Sequence, residues 1–178
     1  MNSIDQSQEE KNHEDLRSAE AVNKIKELVD SAGTCFFCTA IETGEPFKTR
    51  PMSVQKVDDE GNLWFLSADD SHLNAEIGSA SLVQLLFQGS AHSDFLNLYG
   101  EASISRDKQK IKEFWSPIMK TWFTEGQDDP RITVIKVEPG GGYYWDNKHG
   151  NAIAFVKMAV GAIIGKTLDD SIHGKLNV

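Results

Sequence analysis

Residues 34–67 read TCFFCTAIETGEPFKTRPMSVQKVDDEGNLWFLS, and this stretch decides the fold class. Three runs rich in aromatic and β-branched residues are separated by short polar turns that contain glycine, as in consecutive β-strands. Pro51 in the second run indicates an edge strand or a bulge, because proline cannot donate a ladder hydrogen bond. The stretch therefore predicts an antiparallel meander with strands over Thr34–Ile41, Phe47–Val57 and Leu63–Ser67.

Further strands and helices lie on both sides of this meander. After Ser18, a candidate N-cap, apolar residues recur at helical spacing up to Gly33: Ala21, Val22, Ile25, Leu28 and Val29. Two more helices are predicted over Ser71–Ser79, capped by Asp70 or Ser71, and over Asp107–Met119. The chain from Asn151 to about Ile163 is ambiguous, with a helical tendency. The other predicted strands are Ser81–Gln88, Phe95–Ser105, Ile132–Val137 and Gly142–Trp145. Six or seven short strands without βαβ alternation predict a small closed β-barrel with helical caps.

Chain length and charge set the broad class of protein. With 178 residues, 39% of them hydrophobic, we expect one domain over residues 16–178 behind a mobile polar tail, Met1–Asp15. The net charge of −9 argues against nucleic acid and anionic membranes as partners, since both attract basic surfaces. The tail has no apolar centre like that of a secretory signal, and Ala152–Ile164 is too short to span a bilayer. We therefore expect a cytoplasmic protein.

The sequence contains no self-evident catalytic motif, so the catalytic residues stay unassigned. The five histidines do not have metal-ligand spacing, and we expect solvated side chains and no metal site. Cys35 and Cys38 have C-x-x-C spacing, but alternation along a strand sends residues i and i+3 to opposite faces. We expect both cysteines to pack in the sheet and to form no disulfide with each other.

Three places in the chain could bind a ligand. Lys48–Ser53 carries Arg50 on a strand, where a guanidinium can bind phosphate, although a surface ion pair is the simpler interpretation. Ser67–His72 brings hydroxyls and backbone N–H groups to a helix start, which suits an anion but also plain capping. Aromatic side chains in the last third could flank a planar ring or pack in the core. They are Trp115, Trp122, Phe123, Tyr143, Tyr144 and Trp145.

The order of these places resembles the pyridoxamine 5'-phosphate oxidase-like superfamily of FMN-binding split barrels, specifically its bacterial general stress proteins. The resemblance runs from about Ser18 to Lys166, and the ordered set of motifs is more specific than any one of them. The matching motifs are Thr49–Met52, Leu63–Ser67, Asp70–His72, Glu76–Ile77, Tyr99–Ala102, Phe114–Pro117, Trp122–Phe123, Gly126, Asp128–Pro130 and Tyr144–Asp146. The resemblance implies a mainly β fold, a six- to seven-stranded antiparallel split β-barrel with α-helices.

The resemblance also implies a homodimer with two FMN sites built from both subunits. In such a site the strand Arg50, Pro51 and Met52 would run along the flavin. Ser67 and Ala68 would approach the ribityl chain or the phosphate, while Ser71 and His72 would lie at the phosphate. Trp122, Phe123 and Trp145 would come mainly from the partner subunit's side of the site.

Two departures from the family pattern bear on the ligand. Leu73 stands where the family usually has a lysine in the phosphate segment, and His72 stands where the oxidases often have an arginine. Each missing charge-assisted hydrogen bond is worth roughly 1.5–3 kcal/mol, so FMN affinity is expected to fall ~10-fold or more unless Lys48 or His72 compensates. The chain after Trp145 contains no arginine, so the arginine contacts by which the oxidases usually hold a second phosphate are absent. Pyridoxine phosphate oxidation is therefore not expected.

The sequence is consistent with several functions. The first is a flavin-dependent oxidoreductase of a small substrate, in which the flavin carries the redox chemistry. The second is a non-enzymatic flavin-binding stress protein, which the missing phosphate charges favour slightly. A third is a split-barrel dimer with an empty site, or with haem or a deazaflavin. The visible absorption spectrum of the purified protein separates flavin, haem and an empty site.

Overall fold

The computed structural model describes residues 12–42, 46–150 and 170–178, and single helical positions at 153, 154, 156, 157 and 159. Nine strands lie within these described residues: β1 Leu16–Arg17, β2 Thr34–Thr39, β3 Lys48–Ser53, β4 Lys56–Val57, β5 Leu63–Ala68, β6 Leu82–Gln88, β7 Phe95–Ser105, β8 Ile132–Asn147 and β9 Ser171–Asn177. The α-helices are α1 Ala19–Ala32, α2 His72–Ser79 and α3 Lys108–Phe114. Two 3₁₀ helices span Pro117–Thr121 and Gly126–Asp128.

The strands form one sheet with the order β1-β9-β8-β7-β6-β2-β3, and β5 pairs with β8 and β4 beside this path. All pairs are antiparallel except β1 with β9. The chain runs from edge strand β3 directly into β4, so the two ends of the curled sheet are joined. The rings of Phe37 on β2 and Phe65 on β5 are 5.2 Å apart across the interior. The mainly β fold predicted from the sequence is therefore confirmed.

The strand boundaries differ from the prediction in three places. The second predicted strand, Phe47–Val57, is divided into β3 and β4 because the Val54 N–H donates to Gly33 and the Gln55 N–H to Trp64. The predicted strands Ile132–Val137 and Gly142–Trp145 are one continuous strand, β8. Strands β1 and β9 were not predicted, and they bring the number of strands in the described residues above six or seven.

Residues 1–11 of the tail predicted over Met1–Asp15 lie outside the described residues. Residues 12–15 are hydrogen-bonded to the sheet, whereas the prediction was a mobile tail. The Glu14 N–H donates to the His173 carbonyl at 2.9 Å, and the Tyr144 hydroxyl donates to the Glu14 carbonyl at 2.9 Å. Asn12 is only 7% exposed. This segment satisfies polar groups of β8 and β9, which explains why a polar sequence is ordered here.

Two apolar clusters fill the molecule. The main core packs α1 against the inner face of the sheet, and all five predicted core positions of α1 are buried in the structure. Ser18 occupies the N-cap position without a capping side-chain hydrogen bond, whereas Gly33 ends the helix in the left-handed conformation. The smaller cluster packs α3 and the following loop against β5 and β8. Its buried members are Ile111, Phe114, Phe123, Ile132 and Val134.

Helix α3 is shorter than predicted. It ends at Phe114 rather than Met119, and a 3₁₀ helix begins at Pro117. Proline disfavours the helical conformation of the residue before it and cannot donate the next helical hydrogen bond. Ile118, which lies in this 3₁₀ helix, is consequently 70% exposed.

The two cysteines behave as the strand alternation predicts. Both are free and buried, and Cys35 belongs to the main core. The Cys38 thiol instead lies 3.5 Å from the Thr49 hydroxyl on the neighbouring strand. Burial, followed by proximity to Cys38, raises the pKa of the Cys35 thiol to about 12, so Cys35 lacks the reactive thiolate of a redox motif.

Candidate functional site

Strand β3 and helix α2 are joined by an ionic cluster around Glu76. The Arg50 Nη2 atom lies 2.6 Å from Glu76 Oε2, and Lys48 Nζ lies 3.1 Å from Glu76 Oε1. The Thr39 hydroxyl, fully buried on β2, donates to the same Oε2 atom at 2.5 Å. Glu76, whose role was not predicted from the sequence, therefore ties the Arg50 strand to helix α2, which begins at His72.

Glu76 is ionised in this cluster. Burial is the largest single influence on the carboxyl group and raises its pKa. Hydrogen bonds from Thr39, Arg50 and Lys48 together outweigh burial and lower the pKa of Glu76 to about 2. The Glu76 side chain is 11% exposed and the Arg50 side chain 24%. The pair is thus far less solvated than the surface ion pair that was the simpler interpretation of Arg50.

One donor nitrogen of Arg50 takes no part in this cluster. Its Nη1 atom is buried and has no hydrogen-bond partner among the described residues. A guanidinium nitrogen without an acceptor is costly, so its presence at an edge strand favours an acceptor supplied from outside the chain. This orphaned donor lies on the strand that the resemblance assigns to a flavin.

A chain of buried polar groups lies at the start of α2. The Ser67 and Ser71 hydroxyls are 3.1 Å apart, and Ser71 caps the helix by accepting from the Asn74 N–H. The Asn74 side chain donates to the Thr133 hydroxyl at 2.8 Å, and that hydroxyl donates to the Ser67 carbonyl. Asn74 Oδ1 is buried without a hydrogen-bond partner in the described part of the chain. Of the two predicted caps, Asp70 and Ser71, Ser71 is the one that caps the helix, while roles for Asn74 and Thr133 were not predicted.

The neighbouring residues on α2 differ in exposure. His72 is exposed at the first position of the helix, and Ala68 is half-buried where β5 ends. Leu73 is 3% exposed in the main core. A lysine at position 73 would have to bury much of its stem to reach the helix start, so Leu73 is a packing residue in this chain.

Acidic residues hold the other two arginines of this region. Arg106 pairs with Asp69 at 2.5 Å, directly after β5. Arg131 makes two contacts with the fully buried Asp129, Nε to Oδ1 at 3.0 Å and Nη2 to Oδ2 at 2.8 Å. Hydrogen bonds from Arg131 lower the pKa of Asp129 against the opposing effect of burial. These two arginines thus fix loops and are not available as phosphate ligands without breaking an ion pair.

The outer face of the sheet carries exposed apolar side chains. Phe36 on β2 is 58% exposed and pairs with Pro51 on β3 and with Leu86 on β6. A groove of about 380 Å³ opens here, and Pro51 is the member of the predicted site that lines it. The lining residues are Thr34, Cys35, Phe36, Pro51, Leu86, Phe87, Gln88 and Phe95. Met52 points the other way and packs against the main core.

The predicted aromatic residues fall into two groups in the described structure, one on β8 and one at the smaller apolar cluster. Trp145 pairs with Phe95 and is 45% exposed, and its ring lies 4.6 Å from that of Tyr143. β8 is four strands away from β3 along the path through β7, β6 and β2. Trp122 is 65% exposed, whereas Phe123 is 7% exposed inside the smaller core. Phe123 is therefore a packing residue in this subunit.

Two further observations concern metals and membranes. Within the described ranges, no three histidine, cysteine or acidic side chains are grouped so that they could hold a metal ion. Four of the five histidines are exposed, and His173 is half-buried against Tyr143. No helix formed by the residues that the structure describes is long and apolar enough to cross a bilayer.

The curled sheet with its joined ends and helical caps defines the class of protein as a small split β-barrel. A protein from Jannaschia sp. CCS1 that is assigned as general stress protein 26 has the same fold. It is 22% identical to this chain, with a TM-score of 0.75 over 90% of this chain and 100% of that chain. The general stress FMN/FAD binding protein from Xanthomonas citri is 23% identical, with a TM-score of 0.59 over 70% of this chain and 87% of that one.

Sequence comparison then gives the family. The profile described as "Pyridoxamine 5'-phosphate oxidase like" matches residues 20–169. The chain belongs to this family. It is also 26% identical to protein bli-3 of Neurospora crassa over 113 residues, which is 59% of this chain. The match spans about half, 54%, of the length of that relative.

Proposed function

We propose that this protein binds FMN in a homodimer and acts as a flavin-dependent oxidoreductase on a small substrate, in a stress-related role. The observation that carries the proposal is the junction of β3 and α2, where Arg50 has an unpartnered Nη1 and pairs with Glu76 of the helix that Ser71 caps. Bound flavin would supply the redox chemistry, which the protein side chains do not provide themselves. The name of the X. citri relative, an FMN/FAD binding protein of the same fold, supports flavin as the ligand.

The residues of the chain have separate parts in this proposal. Arg50 would donate from Nη1 to the flavin while Glu76 holds its other nitrogen. Ser67 and Ser71 would hydrogen-bond the ribityl chain or phosphate at the start of α2, with Ala68 and the exposed His72 beside them. Pro51 would contact the flavin on the outer face of the sheet, and Met52 would anchor the strand in the core.

A second copy of the chain completes the site in this proposal. Trp145 is four strands away from β3 along the path through β7, β6 and β2, and in this proposal the Trp145 that meets a flavin beside Arg50 belongs to the other subunit. Phe36, Tyr99 and Trp145 are 58%, 50% and 45% exposed on one face, which is an apolar surface suited to an interface. The exposed Trp122 would also contact the flavin from the partner's side.

The purified protein tests the cofactor directly. We expect flavin absorption after reconstitution with FMN, and one FMN per chain after gel filtration. A spectrum typical of haem, or the absence of any flavin after reconstitution at micromolar concentration, would contradict the proposal.

A non-enzymatic flavin-binding role is the second candidate. It is favoured by the ion pairs of Arg50, Arg106 and Arg131, which leave no arginine of this region free to hold an anionic substrate. Anaerobic mixing of the flavin-loaded protein with NADH or NADPH separates the two roles. Bleaching of the flavin that is faster than for free FMN favours the enzyme, and equal rates favour the carrier.

A further inference from the structure

Glu76 holds both cations of the candidate flavin site. Its Oε2 atom accepts from Arg50 at 2.6 Å and its Oε1 atom lies 3.1 Å from the Lys48 ammonium. The buried Thr39 hydroxyl fixes the same carboxylate at 2.5 Å. A phosphate that approaches Arg50 or Lys48 therefore has to compete with an ionised carboxylate already in contact with them.

The remaining donor of Arg50 suits an uncharged acceptor. Nη1 has no hydrogen-bond partner within the described ranges, while the guanidinium charge is already balanced through Nη2. The carbonyl oxygens of a flavin ring are neutral acceptors. Arg106 is held by Asp69, and Leu73 is buried in the core, so neither position supplies a free cation beside Arg50.

We propose that Glu76 is a specificity-determining residue that removes the preference for phosphate, so that the site recognises the ring and ribityl chain and binds riboflavin nearly as tightly as FMN. This inference rests on the proposed flavin site. A site with two free cations would instead favour FMN strongly, since charged hydrogen bonds are about twice as strong as neutral ones.

Fluorescence titrations of the full chain with riboflavin and with FMN test the inference. For the wild type we expect dissociation constants within ~10-fold of each other. Glu76→Gln keeps an acceptor for Thr39 and Arg50 but removes the negative charge. This variant should bind FMN ~10-fold more tightly or better, and riboflavin within ~3-fold of the wild type.

Glu113→Gln is the matched control. Glu113 also holds two cations, Lys56 and Lys110, but on the exposed surface of α3. The same loss of one negative charge there should leave both affinities unchanged. Equal tightening of FMN by Glu113→Gln would mean that net charge, and not Glu76, governs binding.

Two results overturn the role of Glu76 while leaving the flavin site intact. One is a wild type that prefers FMN over riboflavin by ~100-fold or more, and the other is a Glu76→Gln variant whose FMN affinity does not rise. Failure of both flavins to bind the wild type overturns the proposed function and this inference together.

If Glu76→Gln does not fold, the riboflavin and FMN titrations of the wild type test the inference by themselves. Raising the salt from about 0.05 to about 0.5 M should then weaken FMN no more than riboflavin.

Discussion

Single residues set the chemistry of this molecule, and Arg50 is the main example. The family resemblance indicates a flavin contact, and the structure adds that half of its fork is occupied by Glu76. The other half is buried without a partner among the residues described. A guanidinium directs two nitrogens at two acceptors in a fixed planar geometry, which a lysine ammonium does not reproduce.

We expect Arg50→Ala to weaken flavin binding by about 10- to 100-fold, from the loss of one charged hydrogen bond of about 1.5–3 kcal/mol. Arg50→Lys should recover only part of this, because one ammonium cannot hold Glu76 and reach the ligand in the geometry of the fork. Titration monitored by flavin fluorescence measures both variants. Wild-type affinity in Arg50→Ala, with an unchanged circular dichroism spectrum, would remove Arg50 from the site.

Glu76 also makes stability depend on pH. Its pKa is lowered from 4.5 to about 2 in the folded protein, so its contribution is present above pH 4.5 and is lost as the pH falls towards 2. Burial opposes ionisation and the hydrogen bonds overcome it, giving a net stabilisation of about 1–3 kcal/mol at neutral pH. Urea unfolding between pH 5 and about pH 2.5 should show a smaller loss of stability in Glu76→Gln than in the wild type. Parallel losses in the two proteins would show that the carboxylate is not stabilised by folding.

At the scale of the elements, glycines allow β7 and β8 to cross closely. The pairing of these strands shifts register between Tyr99 and Gly100. A Cβ atom on Gly100 would lie 2.1 Å from the Glu138 carbonyl oxygen, a backbone atom that cannot move aside. This irregularity lets one strand of 16 residues pair with β5 in its first half and β9 in its second.

Gly100→Ala should therefore lower the free energy of unfolding by about 2–4 kcal/mol, because the added methyl group separates the two strands or strains them. Gly78→Ala is the control, since a Cβ at Gly78 on α2 meets nothing within 4 Å. That change should stabilise the protein by up to about 1 kcal/mol through helix propensity. Chemical denaturation of both variants measures the difference. A Gly100→Ala variant as stable as the wild type would mean that β7 and β8 accommodate the added methyl group without a loss of stability.

At the scale of the whole molecule, the outer face is the feature that one chain leaves incomplete. Phe36 and Tyr99 are about half exposed on it, and Trp145 lies on the same face four strands from β3 along the path through β7, β6 and β2. We expect a homodimer in solution with an interface of more than ~2,000 Å². Light scattering at micromolar concentration should give twice the chain mass, and a monomer mass would contradict the expectation.

Phe36→Asp should shift the protein towards monomer and lower its flavin affinity together, because it places a charge in the middle of this face. Ile104→Asp offers the control. Ile104 is 36% exposed on β7 but, by strand alternation, lies on the opposite side of that strand from Tyr99. It should leave the mass in solution unchanged. A dimer that survives Phe36→Asp with full flavin affinity would place the interface elsewhere.

Local patterns in the sequence determined the elements of this protein. The α1 core positions, the Ser71 cap and the edge character of the Pro51 strand all follow from side-chain periodicity and from hydrogen bonds between residues close in the chain. The family and the mainly β class were also predictable, because ordered motifs survive where overall identity is low. These features depend on neighbours within a few residues, and the sequence lists those neighbours directly.

Only the tertiary structure decided the features that depend on distant pairs. Glu76 meets Arg50 across 26 positions, and the Tyr144 hydroxyl meets the Glu14 carbonyl across 130. No local pattern marks such a contact, since a carboxylate on a short helix can face water or any cation that folding brings to it. The same holds for β9, for buried Phe123 and for the distance between Trp145 and Arg50. Sheet order sets which groups meet, and sheet order follows from the packing of the whole chain rather than from any one stretch of it.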